Sequence, residues 1–293
     1  MRVLHLDAGR EMRGGQWQVL RLIAGLEREG FECILLARPE SPLFLMACKA
    51  GSKVEALGVR NLMRWSRSCD LIHAHDARSH TLALLTPGTP LVVSRRVAFA
   101  PRAGWKYGRA SRYIAVSEYV KSVLVAAGVR SQKVSVVYDG VPLLESAHGT
   151  AVLAPANAAD TQKGAALAHE AARLAGVPIE FTAQLERDLP RAGLFVYITH
   201  SEGLGSAALL AMSAAVPVIA SDIGGLREVI RHGENGLLVE NSASRIAAAI
   251  QELTANPGLA RRLGQAGRQT IEERFTIDIM VRRTRQVYDE VLR

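Results

Sequence analysis

Residues 199–230 read THSEGLGSAALLAMSAAVPVIASDIGGLREVI, and this stretch decides the fold. The run before it, Leu194-Phe195-Val196-Tyr197-Ile198, is short and apolar, as a strand buried on both faces requires. Glu202-Gly203-Leu204-Gly205 then forms a turn, and Ser206–Ala215 has the composition of a helix. Pro217-Val218-Ile219-Ala220 supplies the next buried strand, and Gly224-Gly225 the next turn. A glycine-rich turn thus sits at the carboxyl end of a strand and opens a helix. Unpaired amides and the helix dipole favour an anion at such a place. Glu202 adds a carboxylate at the same edge. By itself the stretch fits two readings: a ligand-binding edge, or an ordinary strand-to-helix turn carrying a solvated glutamate.

The same alternation extends outward in both directions. Val3–Leu6, Cys33–Ala37, Val54–Leu57, Asp70–His75, Leu91–Ser94, Tyr113–Val116 and Val134–Val137 read as strands. Gln16–Glu29 is an amphipathic helix closed by Gly30. A second series starts at Ala151–Ala154 and ends with helices at 242–254, 257–275 and 277–292. Strand–helix alternation implies parallel sheets with right-handed crossovers. The predicted fold is α/β with two doubly wound sheets, and Leu143–Gly149 reads as the linker between them. The chain has 293 residues, 48% of them hydrophobic, which is material for two cores.

Cys33, Cys48 and Cys69 lack ligand-like spacing and read as buried free thiols. No signal peptide and no membrane-length apolar run is visible, so a soluble cytoplasmic protein is expected. Residues 1–140 hold 21 Lys and Arg against 11 Asp and Glu, which concentrates the net charge of +8 in the first half. That surface suits phosphate groups or an anionic membrane face. Nothing resembles a nucleic-acid module.

Three blocks closely resemble the signature region of glycosyltransferase family 4: Ser201–Met212, Pro217–Ile230 and Gly233–Val239. Further matches follow in order: Arg13-Gly14-Gly15-Gln16, Asp70–Asp76 with its His-Ala-His, Ile114–Glu118, Val137–Val141, Lys163-Gly164, and the helix from Phe275 to Tyr288. The resemblance implies the GT-B architecture of two Rossmann-like domains. It places an acceptor-side domain at 1–143, a shortened donor domain at 150–274, and a helix at 275–293 that returns to the first domain. It implies sugar transfer from a nucleotide-sugar donor with retention of configuration, no cofactor and no catalytic metal. It assigns Glu202 to a sugar hydroxyl and His75 to the donor sugar. Gly14, Gly15, Lys163, Gly203, Leu204 and Gly205 fall to donor binding. Without the resemblance His75 reads equally as a strand-end histidine bonded to backbone, Lys163 as a solvated lysine, and Asp76 as a helix cap.

The chain departs from the family pattern in three ways. Leu210 stands eight residues after Glu202, where the family has a second acid for the donor ribose, and leucine cannot bond hydroxyls. The candidates for the arginine that precedes the phosphate lysine are Asn157 and Ala158. The segment after Gly164 is also short. Each missing charge-assisted bond is worth about 1.5–3 kcal/mol. Finally, Arg95, Arg96, Arg102, Trp105 and Lys106 form a basic, aromatic-bearing segment. It is expected to face a phosphate-rich acceptor, such as a lipid-linked or lipopolysaccharide-type glycan, or the anionic inner membrane; a solvated loop reads equally well. The rival readings are a catalytically degenerate homologue acting as a partner subunit, and a GT-B sugar-nucleotide epimerase.

Overall fold

The computed structural model describes residues 1–101, 104–156 and 164–293. The chain divides into two compact units. One comprises Met1–Gly140 with Ile277–Arg293, the other Val141–Thr276.

The first unit is built on seven strands: β1 (Arg2–Asp7), β2 (Glu32–Ala37), β3 (Lys53–Ala56), β4 (Leu71–Ala74), β5 (Leu91–Arg95), β6 (Arg112–Ala115) and β7 (Val134–Val136). They lie in the order β3-β2-β1-β4-β5-β6-β7, and every pairing is parallel. The chain runs outward from β1 to β3, then restarts at β4 on the other side of β1. The topological switch point therefore lies between β1 and β4, and a crevice at their carboxyl ends is where such sheets take ligands. Along β1 the side chains alternate in direction, so Val3, His5 and Asp7 share one face. Val3 belongs to a core shared with Leu22, Leu26, Val281 and Tyr288, which come from the helices Gly14–Arg28 and Ile277–Leu292. The last helix in sequence thus completes the first unit. Four short helices of this unit, at Val59–Ser66, Ala77–Ala83, Trp105–Gly108 and Glu118–Ala126, lie outside the helices expected from the sequence.

The second unit holds β8 (Ala151–Pro155), β9 (Ile179–Thr182), β10 (Ala192–Tyr197), β11 (Val218–Ser221) and β12 (Leu237–Val239). Their order is β12-β11-β10-β8-β9, again all parallel. The switch point lies between β8 and β10. Only the short helix Leu185–Asp188 and one 3-10 turn separate β9 from β10, so this sheet stays at five strands.

Two expectations change. The stretch 143–149 is not a free linker: Ala147 N donates to Ala214 O at 2.8 Å, and His148 N to Pro190 O at 3.2 Å. Arg268 Nη1 also reaches Leu144 O at 2.6 Å. Backbone pairing ties the segment onto the second unit. Cys48, expected buried, is exposed, whereas Cys33 and Cys69 are buried; the small helix Pro42–Lys49 buries only Leu43 and Ala47.

Candidate functional site

In the second unit Glu202 leaves the carboxyl end of β10 beside the switch point. Its carboxylate is held on both oxygens: Tyr197 donates its hydroxyl to Oε2, and Gly203 N donates to Oε1 at 3.1 Å. Tyr197 is buried, and a buried tyrosine needs a partner for its hydroxyl. The Gly203 amide expected to face a ligand is therefore already spent on Glu202. Gly205 follows with φ of 102°, a left-handed value that a side chain resists. A Cβ there would also lie 2.6 Å from Leu226 Cδ2. Gly225 is more constrained, since its Cβ would fall 1.9 Å from Gly203 O. The two glycine turns are packed backbone to backbone, and Gly225 N donates to Glu202 O at 3.3 Å. Leu204, between the turn's glycines, is buried.

The edge is stitched to neighbouring strands by polar side chains. Thr199 N donates to Ser221 Oγ at 2.9 Å, Ser221 Oγ donates to Asn241 Oδ1 at 2.6 Å, and Asn241 Nδ2 donates to Thr199 O at 2.8 Å. The helix Ser206–Ser213 then runs inward, with Leu209, Leu210 and Met212 all buried. Leu210 therefore acts as core, and the helix offers no acid at that position. Lys163 and Arg102 lie outside the described residues, as do Asn157 and Ala158.

In the first unit the switch point collects buried polar groups. His75 follows β4 and is buried; its Nε2 lies 3.0 Å from His5 Nδ1. His73, which pairs with His5 in register, shares Nδ1 with the Tyr288 hydroxyl at 2.6 Å and Nε2 with Ser94 Oγ at 2.8 Å. Burial lowers His5 to about 3 and holds His73 and His75 well below the usual imidazole range, so all three are neutral. Their ligand nitrogens lie within 4.8 Å of one another, a spacing compatible with a cation. His73 already commits both ring nitrogens to hydroxyls, so the arrangement is that of a hydrogen-bonded network.

The helix Gly14–Arg28 begins at the two expected glycines. Gln16 ties it to β1, donating from Nε2 to both Asp7 oxygens at 3.2 Å. Burial raises the Asp7 carboxyl pKa above its ordinary value, opposed by the Gly9 amide. Asp76 caps the helix Ala77–Ala83, accepting from Arg78 N and Ser79 N, and also takes Ala8 N at 2.6 Å.

The described residues of the basic segment do not form one surface. Arg96 turns inward, with Nε 3.2 Å from Asp139 Oδ1, and lies beside Gly15. Lys106 donates to Ala77 O and Thr81 Oγ1, and Arg95 to Phe99 O. Burial lowers the pKa of both Arg95 and Lys106. Val97, Phe99 and Trp105 face outward instead, Trp105 being 74% exposed. Among the described residues no helix is long and apolar enough to cross a membrane.

Sequence reasoning did not single out Tyr197, His5, His73, Tyr288 or Asp139. A tyrosine inside the apolar run 194–198 was the one local signal; the others meet partners 21 to 215 residues away.

The model "Glycosyltransferase Family 4" matches residues 12–144, and "Glycosyl transferases group 1" matches 178–270. Alpha-maltose-1-phosphate synthase of Mycolicibacterium smegmatis is 37% identical over 117 residues, which is 38% of this chain but only 30% of that protein. The crystal structure of Anabaena HepE in complex with UDP and glucose superposes with a TM-score of 0.87 at 16% identity, covering 99% of this chain and 100% of that one. A glycosyltransferase from Rickettsia africae gives 0.82 at 18% identity, covering 100% and 98%.

Proposed function

The chain belongs to the group 1 and family 4 glycosyltransferases, and from that premise we propose that it transfers a sugar, with retention, from a nucleotide-sugar donor to a cell-envelope glycan or lipid-linked acceptor. The observation that carries this is the held Glu202 carboxylate on a two-glycine edge at the switch point of the second sheet. Breaking a sugar–phosphate bond puts negative charge on the leaving diphosphate and positive charge on the sugar ring. The amides of Leu204 and Gly205 and the start of the Ser206–Ser213 helix suit the first. Glu202, fixed by Tyr197, suits a sugar hydroxyl, and His75 contacts the donor sugar as a neutral imidazole. Lys163 pairs with the diphosphate. Neither a cofactor nor a metal takes part.

HepE, with the same fold, has been crystallised with UDP-glucose, which makes UDP-sugars the first donors to test. The acceptor reading draws support from the outward aromatic group Val97, Phe99 and Trp105 on the more basic half of the chain. It implies a cytoplasmic protein in peripheral contact with the inner leaflet. Buried Leu210 favours one rival, a degenerate homologue that has given up the donor ribose.

Thermal-shift measurements with a panel of nucleotide sugars separate the two readings: stabilisation by any donor supports the enzyme, and none supports the rival. Glu202→Gln should then lower turnover by about 100-fold or more while the melting temperature stays unchanged. Undiminished turnover would sink the role given to Glu202.

A further inference from the structure

We propose that His5 is a positioning residue for His75: its Nδ1–H donates to His75 Nε2 and so fixes the tautomer in which His75 presents Nδ1–H to a hydroxyl oxygen of the donor sugar. This rests on the reading of His75 as a donor contact.

The two rings lie edge to edge, 9° from parallel with centroids 5.3 Å apart, and the nitrogens facing each other are 3.0 Å apart. That contact requires one proton between them. His73 does not compete for it, because its nitrogens are taken by Tyr288 and Ser94. Both imidazoles are neutral, so the pair carries two ring protons. One lies on the shared contact, and the other lies on an outer nitrogen. The outer nitrogens are His5 Nε2 and His75 Nδ1, and neither has a hydrogen-bond partner among the described residues.

Two arrangements follow. If His75 donates from Nε2, the outer proton sits on His5 Nε2. That ring is wholly buried in mid-strand on β1, and its N–H has no acceptor among the described residues. If His5 donates from Nδ1, the outer proton sits on His75 Nδ1. His75 lies just past β4 at the ligand edge of the sheet, where a bound hydroxyl supplies the missing acceptor. A buried donor with no acceptor keeps its full desolvation cost, whereas one that a ligand satisfies loses it on binding. A sugar hydroxyl donates as well as accepts and so satisfies His75 Nδ1 in either arrangement. What differs is His5 Nε2, and the bound state takes the second arrangement because an orphaned buried N–H is costlier than a bare lone pair. In it the outer nitrogen of His5 is a bare lone pair. The partner of one ring nitrogen sets the protonation of the other, which is the general way a histidine tautomer is chosen.

Nitrogen-15 spectra of the full chain labelled at histidine give the tautomer directly. With UDP-glucose bound, the proposal requires His75 to be protonated at Nδ1 with Nε2 bare, and protonation at Nε2 overturns it. Affinities for UDP and UDP-glucose give a second readout. His5→Ala should weaken UDP-glucose about tenfold and leave UDP unchanged. His5→Asn, whose amide N–H lies where Nδ1–H does, should restore binding to within about threefold of wild type; His5→Gln, whose donor is displaced outward, should not. Equal losses for UDP and UDP-glucose would mean a structural role only and overturn the proposal. If the wild-type chain binds neither ligand, the donor reading itself fails and the proposal fails with it.

Discussion

The edges at the two switch points are built by opposite means. In the second unit the edge is backbone: two glycine turns in contact, one acid clamped by a tyrosine five residues upstream, and contacts mostly within about forty residues. In the first unit the edge is made of side chains. His5, His73, His75, Ser94 and Tyr288 come from four separated segments and meet inside the core. Backbone packing leaves almost no tolerance for substitution but carries no proton-linked cost. A neutral imidazole network tolerates substitution better and makes the fold sensitive to acid. The first design holds a turn in place through backbone contact; the second holds buried side chains in place through hydrogen bonds.

That contrast can be broken experimentally, beginning with the largest effect. A histidine whose folded pKa is depressed binds its proton more readily once unfolded. Its stabilising contribution is complete above the unfolded value near 6.5 and is lost as the pH falls towards the folded value. For His5 that window runs from about 6.5 to about 3, and for His80 to about 4, burial being the main cause in both. His73 and His75 act in the same direction. Each adds a slope of up to ~1.4 kcal/mol per pH unit. Urea unfolding across this range should show a steep loss below pH 6.5 that His5→Asn flattens; an unchanged slope in the variant would remove His5 from the account.

Next in size is Gly225→Ala, which forces a Cβ against Gly203 O. It should cost about 3 kcal/mol, read from the urea midpoint, and a wild-type midpoint would show that the two turns are not rigidly packed. The smallest effect belongs to the aromatic surface. Trp105→Ala should weaken sedimentation with anionic vesicles about three- to tenfold, with no change in folding. Equal binding of the wild type to neutral and anionic vesicles would remove the membrane reading.

The two regions also differ in how far they were legible. Glu202, the glycine turn and Leu210 could be read because the turn and its helix are consecutive in sequence and obey a local period. The start of the first helix at Gly14 was legible for the same reason. The fate of Arg96 and Lys106 was not: a run of basic residues looks like a charged surface, yet Asp139 draws Arg96 inward and the 77–83 helix draws in Lys106. Cys48 misled in the other direction, because an apolar helix of eight residues buries only one side.

What the sequence determined by itself is the pair of parallel α/β sheets and the Glu202 turn, because strand burial, helix period and glycine conformation act over a few neighbouring residues. Tertiary structure alone decided the histidine network. Its protonation depends on burial and on partners as far apart as His73 and Tyr288, and desolvation exists only once the core has closed around them.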